Sequence, residues 1–387
     1  MISICRYTQD KHTQWDDFVK VSKNGTFLFL RAYMDYHSDR FHDHSLMFHN
    51  EKGKLIAVLP ANIKTASPPA LPRREGADSI TSFSSNSLSL SLLSAPAPSL
   101  RGKSDVDNIG VCVRAGGEAI TLHSHQGLTY GGFVLSPEIH ISEVGELFRL
   151  TISYLKENGF CEWRYKQIPY IYHLLPSQEE DYWLWRHNAR EDACNMMTVI
   201  DFKSTVNDIS SSRKRTYFNK LQRQGYTVVF DADINDFWPI LEANLMERFG
   251  SHPVHSLSEI TLLKQRFPDN IICCTVRDPN GVTIAGTLLF VTQQVVRTQY
   301  ISASHEGKRC NALDYLMLTL IRHYKDNPEY RYFEFGTSMA EDGINLNEGL
   351  ILQKEGFGGR AVACKIYSIN IKQREFDENK PLTTRRN

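Results

Sequence analysis

Two stretches of equal length decide the fold of this chain: Val144-Gly-Glu-Leu-Phe-Arg-Leu-Thr-Ile-Ser-Tyr-Leu155 and Leu313-Asp-Tyr-Leu-Met-Leu-Thr-Leu-Ile-Arg-His-Tyr324. In both, apolar or threonine side chains stand at the first, fourth, fifth, eighth, ninth and twelfth positions. This spacing collects them on one face of an α-helix, so each stretch is predicted to form an amphipathic helix. An aromatic-rich strand pattern follows each helix, at 161–165 and at 331–335.

The order of elements before each helix is repeated as well. Asp278-Pro-Asn-Gly281 separates two apolar runs in the second half, and Asn50-Glu-Lys-Gly53 separates two in the first half. Short glycine-containing turns between apolar runs are typical of β-hairpins. We therefore predict a tandem duplication with an α/β (α+β) fold. An N-terminal unit, residues 1–200, and a C-terminal unit, residues 201–387, each hold a mixed, mainly antiparallel sheet flanked by helices.

The bulk composition excludes several classes of protein. The 387 residues contain 44 lysines plus arginines and 44 aspartates plus glutamates, so no overall charge favours nucleic acid or a membrane surface. None of the eight cysteines forms a C-x-x-C pair, which indicates reduced thiols rather than a disulfide scaffold. We see no signal-peptide pattern and no apolar run of membrane-spanning length. We therefore expect a soluble, cytoplasmic protein that binds no nucleic acid stably and spans no membrane; its oligomeric state stays open.

The segment 64–118 differs in composition from the rest of the N-terminal unit. It is rich in serine, proline and leucine, and it stands where the C-terminal unit has a tight hairpin turn. Pro72–Gly76 and Pro98–Gly102 can be encoded by reverse-complementary DNA, from which we infer an inserted palindromic element translated in frame. This composition favours a disordered insert. The alternative is a functional flap, because leucines at 88–92 alternate with serines as in a strand.

Several common sites are absent from the sequence. It contains no G-x-S-x-G, H-E-x-x-H or P-loop pattern, which excludes the enzymes that depend on them. His123 with His125, and His252 with His255, each offer half of a metal site, but no third ligand stands at a suitable spacing. We therefore expect no metal, and interpret these histidines as ordinary polar residues, with His125 a candidate for shaping a cleft. Gly127–Gly132 is glycine-dense but does not open onto a helix, as a dinucleotide site requires.

A strand, a short polar loop and an amphipathic helix follow one another in 295–324. The loop, Ser304–Asn311, carries Lys308 and Arg309 beside the predicted start of a helix. Free backbone N–H groups at a helix start, together with nearby cations, can hold phosphate. The alternative is a plain connection whose charges face solvent.

Three stretches of the C-terminal unit resemble the GNAT acyltransferase superfamily, and within it the Fem-type peptidoglycan-bridge aminoacyltransferases. They are Arg213–Gly225, Tyr332–Gly336 and Gly349–Arg360, the last of which is similar to a Gly-Leu…Lys…Phe-Gly element of that branch. The resemblance covers about 201–370 well and the first half more loosely. The duplication fits it, since Fem-type enzymes consist of two GNAT-like units.

The resemblance implies an N-acyltransferase that moves an acyl or aminoacyl group to an amine of a small molecule or a cell-envelope precursor. The donor it implies is an acyl-CoA such as acetyl-CoA, or alternatively an aminoacyl-tRNA. The loop 305–312 does not fit the cofactor loop of acyl-CoA enzymes, and the chain lacks the heptad arm of tRNA-dependent ones. Neither donor is therefore assigned.

The resemblance also suggests residues that bind the donor and the acceptor. Lys354 would neutralise a donor phosphate or the oxyanion, and Arg215 would bind an anionic acceptor. Arg360, at the end of the third stretch, and Asn311, at the end of the loop, are further candidates for binding substrate or cofactor, together with the loop cations Lys308 and Arg309.

Amine acylation requires a base for the ammonium proton and a group that stabilises the oxyanion. Glu334 stands between Phe333 and Phe335 on a predicted strand and points away from both, so it is our candidate base. An apolar surround is expected to raise its pKa toward a useful range. Tyr300, on the neighbouring strand, is a candidate acid. The alternatives are a surface position or a salt bridge to Arg331 for the glutamate, and core packing for the tyrosine.

A second hypothesis is a non-catalytic GNAT-like protein whose cleft binds a ligand or a partner. Convergence of Glu334, Tyr300 and Lys354 in one cleft of the C-terminal unit would favour the enzyme. Scattered side chains would favour the binding protein.

Replacing residues 64–118 with a short Gly/Asn turn should leave the melting temperature unchanged or higher, because the segment lies outside both predicted cores. Scanning calorimetry of the wild-type and shortened chains measures this directly. A fall of several degrees would show that the segment packs, since a loss of ~1–2 kcal/mol shifts the melting temperature of a domain by that much.

Overall fold

The computed structural model describes residues 1–65, 120–204, 211–340 and 342–372. The N-terminal unit holds β1 Ser3–Arg6, α1 His12–Val21, α2 Arg31–Met34, β2 His42–Asp43, β3 Leu46–His49, β4 Leu55–Leu59, β5 Asn62–Thr65, β6 Ile120–His123, β7 Val134–Leu135, α3 Ile141–Glu157, β8 Glu162–Lys166, α4 Glu179–Arg186 and β9 Arg190–Asp201. The C-terminal unit holds α5 Ser212–Arg223, β10 Thr227–Phe230, α6 Ile234–Phe249, α7 Leu257–Arg266, β11 Ile271–Arg277, β12 Thr283–Val291, β13 Val295–Ala303, α8 His305–Cys310, α9 Ala312–Lys325, β14 Tyr332–Thr337, α10 Glu348–Glu355 and β15 Arg360–Asn370.

The predicted duplication is confirmed by the places of α3 and α9. α3 leads to β8, which pairs in parallel with β6, and α9 leads to β14, which pairs in parallel with β13. The side chains at the first, fourth, fifth, eighth and twelfth positions of both predicted helical stretches are buried. Each helix therefore crosses over its own parallel strand pair and covers it with the apolar face that the sequence predicts.

The two units share one sheet, which the sequence analysis did not predict. Eleven strands follow the order β10-β11-β12-β13-β14-β9-β15-β8-β6-β5-β2, and a smaller sheet has the order β1-β3-β4-β7. β15 of the C-terminal unit lies between β8 and β9, while β9 lies between β15 and β14. Each unit thus receives its last strand from the other. The physical reason is that an exchanged strand covers an edge that the other unit would otherwise expose, β9 along β14 and β15 along β8.

Aromatic side chains also hold the two units together. Phe27, in the turn after α1, lies 5.4 Å from Phe267 and 5.6 Å from Phe290, measured between ring centroids. All three rings are buried in a cluster with side chains from β9, β13, β14 and β15. The N-terminal unit therefore covers one face of the shared sheet, and α9 covers the other.

Both predicted hairpin turns are present. The Asn50 side chain accepts hydrogen bonds from the backbone N–H of Lys52 and Lys54, and Asp278 does the same for Asn280 and Val282. Gly53 and Gly281 adopt φ of 73° and 84°, a left-handed conformation that glycine adopts without strain.

The strands of the N-terminal unit differ from the prediction in their bounds. The apolar run after the turn at Asn50–Gly53 does not form one continuous return strand: β4 ends before Pro60, which has no backbone N–H to donate, and β5 begins at Asn62. β5 runs to Thr65, so residues 64 and 65 belong to the sheet and not to the expected insert. Residues 66–118 of that insert lie outside the described residues.

Two further observations concern the cysteines and the length of the helices. Six cysteines are free thiols, but Cys161 is disulfide-bonded, so the expectation of eight reduced cysteines is not met. Within the ranges that the structure describes, we find no helix that combines the length and the apolar character needed to cross a bilayer.

A neutral carboxyl group is buried in the N-terminal unit. Glu180, at the start of α4, is buried and accepts a hydrogen bond from the Tyr165 hydroxyl, which in turn accepts one from the backbone of Phe133 (2.8 Å). The pKa of Glu180 is raised to about 8, mainly by burial; the hydrogen bond from Tyr165 lowers it in part, and the neighbouring Asp181 raises it. Glu180 is therefore mostly protonated at neutral pH.

The raised pKa of Glu180 predicts a pH dependence of stability. Its folded-state pKa lies above the ordinary value of 4.5, so the stabilisation is full below pH 4.5 and is lost as the pH rises through 8. The stability of wild type relative to Glu180→Gln, measured as the difference between their free energies of unfolding, should fall by about 4 kcal/mol between pH 5 and 9. Urea titrations across this range test it, with the exposed Glu157→Gln as the control. Parallel pH profiles for wild type and Glu180→Gln would contradict the assignment.

Candidate functional site

The shared sheet opens between β13 and β14. The two strands pair only at Val295–Tyr332, Val296–Phe333 and Arg297–Glu334. β13 then continues to Ala303 and β14 to Thr337 without pairing with each other. A register shift in β14 after Glu334 and a bulge in β13 next to Gln299 accompany the separation. The last paired residues therefore stand where the two strands part.

An ion pair occupies this last position. Glu334 is fully buried; one carboxylate oxygen accepts a hydrogen bond from Arg297 and the other accepts one from the hydroxyl of Tyr172. Tyr172 belongs to a 3₁₀ turn of the N-terminal unit, Tyr170–Tyr172. Burial raises the pKa of Tyr172 well above its usual value and the Glu334 carboxylate adds to this, so the phenol stays protonated and donates. Both units thus contribute to the surroundings of Glu334.

These surroundings differ from the sequence expectation. An apolar environment or a bridge to Arg331 was expected for Glu334, but its cation partner is Arg297 on the adjacent strand. Arg331 instead pairs with Asp201 at 3.3 Å. The sequence analysis did not identify Arg297 or Tyr172. Arg297 could have been noticed as a charged residue inside the apolar run of β13.

Lys354 lies close to the ion pair. It is fully buried in α10, and its ammonium group donates to the carbonyls of Gly336 (3.0 Å) and Thr337 (2.6 Å) and to the Ser338 hydroxyl (2.8 Å). Burial lowers the pKa of Lys354 well below its usual value, and the nearby Glu334 partly opposes this. The hydrogen bonds of Lys354 therefore hold the end of β14 in place, beyond the point where β13 and β14 separate. The backbone of Gly336 at this end has a left-handed φ of 73°.

Tyr300 reaches Glu334 only through other side chains. Its hydroxyl hydrogen-bonds to Nδ1 of His255 (2.6 Å), and Gln299 bonds to the same hydroxyl. Gln299 in turn accepts from Nε of Arg297 (3.3 Å). Burial raises the pKa of Tyr300, so the phenol is protonated at neutral pH. A buried chain of polar groups thus joins both predicted residues, and it also gives a partner to His255, one of the histidines considered for a metal.

The predicted phosphate-binding cations have protein partners. Lys308 donates to Asn244, and Arg309 pairs with Glu306 on the surface of α8. Asn311 adopts φ of 61° and joins α8 to α9. The loop that was expected to expose helix N–H groups is therefore itself a short helix, capped by the Ser304 side chain.

Arg215 and Arg360 lie on other elements. Arg360 begins β15 and is exposed; its Cα partner Val199 is also the Cα partner of Glu334, so two strand spacings separate the arginine from the glutamate. Arg215 is half-buried in α5. Its neighbour Lys214, which the sequence analysis did not single out, is the buried cation of this helix and pairs with Asp314 of α9 at 2.8 Å.

The histidine pairs do not complete a metal site. Within the described part of the chain, no three or more His, Cys, Asp or Glu side chains are grouped so that they could hold a metal ion. The His125 ring stacks at 5.2 Å on that of His37, in the N-terminal unit.

The same register positions in the N-terminal unit hold different residues. There β6 and β8 pair through Leu122–Trp163 and His123–Arg164, so His123 and Arg164 stand where the C-terminal unit has Arg297 and Glu334. The Arg164 side chain is 32 % exposed and lies 3.6 Å from Asp192. α4, the counterpart of α10, contains no lysine. At these corresponding positions, the buried ion pair and the buried lysine belong to the C-terminal unit.

Part of the C-terminal unit matches a known family model. Residues 210–342 match the family model described as an acetyltransferase (GNAT) domain. A search of curated proteins found no match.

Solved structures with similar folds cover nearly the whole chain. FemX is similar with a TM-score of 0.61 and 11% identity, over 95% of this chain and 97% of its own. L-PGS from Bacillus licheniformis is similar with a TM-score of 0.52 and 10% identity, over 95% and 94%. A conserved protein of unknown function from Bacteroides thetaiotaomicron VPI-5482 has a TM-score of 0.51 and 9% identity, over 96% and 100%. Residues 210–342 of the chain therefore match a GNAT acetyltransferase domain, and over nearly its whole length the chain has a fold similar to that of FemX.

Proposed function

We propose that the protein is an N-acyltransferase that transfers an acyl or aminoacyl group to an amine of a small molecule or a cell-envelope precursor. The observation that carries this proposal is the parting of β13 and β14 at Arg297–Glu334, inside the segment that matches the GNAT domain. A carboxylate held where two strands separate is placed to meet an amine that enters between them.

Glu334 would serve as the general base. Arg297 and Tyr172 each occupy one lone pair of a carboxylate oxygen, and a second lone pair on each oxygen remains for the ammonium proton of the acceptor. The ion pair keeps the carboxylate in one place, and full burial excludes competing water. Fixed geometry of this kind is what general base catalysis requires.

Lys354 and Tyr300 would act on the charges that develop during transfer. All three N–H donors of Lys354 already have acceptors, so its contribution is the electrostatic stabilisation of the oxyanion next to β14 rather than a new hydrogen bond. Tyr300 keeps its proton and is linked to Glu334 through Gln299 and Arg297, which suits an acid for the leaving group.

The donor is a separate part of the proposal. Acyl-CoA is the first donor to test, because the GNAT domain is described as an acetyltransferase. Lys308 and Arg309 already bond to Asn244 and Glu306, so α8 is less able to bind the diphosphate of coenzyme A. Aminoacyl-tRNA therefore remains the alternative donor. The exposed cations Arg213, Lys220 and Arg223 of α5 form no ion pair with a described carboxylate and offer another surface for donor phosphates.

A non-catalytic GNAT-like binding protein is the second candidate. It is favoured by the complete burial of Glu334 and Lys354, whose polar atoms are all bonded within the protein. An assay of acyl transfer to a panel of amines, with acetyl-CoA or a mixture of aminoacyl-tRNAs as donor, distinguishes the enzyme from the binding protein. Product is detected by mass spectrometry, and no transfer from either donor would favour the second.

Glu334→Gln should lower the rate of acyl transfer by on the order of 10²–10⁴, because the amide keeps the shape of the side chain but cannot accept the proton. The matched control is Glu180→Gln, which changes a buried, tyrosine-bonded carboxyl group of the other unit and should leave the rate unchanged. Rates are measured as product formed per enzyme, with folding checked by circular dichroism.

Loss of the carboxylate also leaves Arg297 unpaired in the protein interior, which can cost about 3–5 kcal/mol of stability. The double variant Arg297→Gln/Glu334→Gln removes that charge and should regain stability without regaining activity. An active double variant would contradict the role of Glu334 as base.

Lys354→Met should slow transfer or weaken donor binding in a chain that still folds, because it removes positive charge beside the reacting carbonyl. Lys166→Met is the control, since Lys166 also donates to a backbone carbonyl (Leu128, 2.8 Å) at the end of the corresponding strand β8. Titration of acetyl-CoA by calorimetry separates donor binding from turnover. Equal rates and affinities for wild type and Lys354→Met would remove Lys354 from the site.

A further inference from the structure

An unpaired strand edge lies inside the eleven-stranded sheet. β15 pairs with β9 from Arg360 to Ser368, but β8 covers its other edge only over Ile366–Asn370. The chain leaves the sheet after β8, where the N–H of Gln167 donates to the carbonyl of Lys365 (3.0 Å). In the described ranges, no strand lies along this edge of β15 between Arg360 and Lys365.

The backbone groups of two alanines point to this edge. Met196, the Cα partner of Ala363, uses its carbonyl for the N–H of Ser338 (2.8 Å) and its N–H for the sulfur of Met339 (3.4 Å), both on the side of β9 away from β15. Met196 and Ala363 therefore form a non-hydrogen-bonded pair, and Ala363 directs its own N–H and carbonyl to the open edge. Because the pattern has a period of two residues, Ala361 does the same.

A groove of about 390 Å³ runs along these groups. Ala361 and Ala363 of β15 form one side, and Gln167, Tyr170, Gln178 and Asp181 contribute to the other. The small alanine side chains leave the backbone of β15 accessible from the groove. A molecule that enters therefore meets main-chain donors and acceptors first.

The charged residues that line the groove are Asp181 and Lys365. The carboxylate of Asp181 accepts hydrogen bonds from the side-chain amides of Gln167 (2.5 Å) and Gln178 (3.1 Å), and no cation among the described residues pairs with it. Lys365, the lysine at the groove, is neutralised by Glu191 at 2.9 Å. A ligand with a positive charge is therefore favoured over a phosphate or a nucleic acid.

We infer that this groove binds an extended polypeptide segment of a partner protein, which adds a strand to β15 and places a basic side chain at Asp181. An extended peptide presents alternate N–H and carbonyl groups at the repeat that Ala361 and Ala363 require. Strand addition at an open edge is a common mode of peptide recognition. This site is independent of the proposed acyl transfer, because Glu334 and Lys354 take no part in it.

The probes are fluorescein-labelled, end-blocked peptides of the sequence TVKVT, with a counterpart in which glutamate replaces the lysine. Fluorescence anisotropy with the full chain should show saturable binding of the lysine peptide and at least about tenfold weaker binding of the glutamate peptide. Asp181→Asn should abolish the difference between the two. No binding of TVKVT up to about 1 mM, or equal binding of both peptides by wild type, would overturn the inference.

Two further comparisons test whether the peptide adds as a strand. Ala363→Pro removes the N–H on the open edge and should weaken binding by about tenfold or more, whereas Ala363→Val keeps that N–H and should bind within about threefold of wild type. Peptides methylated on one backbone nitrogen, at the third or at the fourth residue, test this on the ligand side. Only one of the two should lose affinity, since adjacent N–H groups of a strand point in opposite directions. Equal effects of both methylations would exclude strand addition, even if Ala363→Pro did not fold.

Discussion

β9 and β15 pair through nine registered residues in the interior of the large sheet, and each is joined on its other edge to a strand of the opposite unit. This central pairing fixes how β8 and β14 lie relative to each other. It thereby fixes the turn at Tyr170–Tyr172, which follows β8, and the buried end of β14 that it contacts. The meeting of Tyr172 with Glu334 depends on this arrangement, because the two residues come from different units.

Local features of the fold were predictable from the sequence, and long-range ones were not. The two helices and the two hairpin turns follow from periodicity and turn chemistry within a few residues, as the bonds of Asn50 and Asp278 illustrate. The exchange of β9 and β15 depends on strand register between residues that are far apart in sequence, and such register has no local signal. Local strand alternation predicts that Glu334 points away from its phenylalanine neighbours. Its bond to Arg297 depends on the register between two strands, so the sequence alone could not predict it.

The two units also show how one backbone arrangement accommodates different chemistry. Arg297 and Glu334 stand on paired positions of neighbouring strands and are buried together, whereas His123 and Arg164 occupy the same positions with access to solvent. A buried ion pair tolerates the loss of one member poorly, because the remaining charge is left without a partner in a medium of low polarity. Both members of such a pair therefore tend to change together, while the solvated positions can change one at a time.

The exchange of terminal strands has a consequence for biosynthesis. β8 ends at Lys166, whose Cα partner is Ile366, so the strand that covers β8 is translated about 200 residues after it. Until then the N-terminal unit leaves the ribosome with the edge of β8 uncovered, next to the apolar side chains of Trp163 and Tyr165. Non-local pairing of this kind is slow to form, because the chain between the partners must first be ordered. The interval between synthesis of β8 and synthesis of β15 is thus the period in which this edge is open to pairing with other chains.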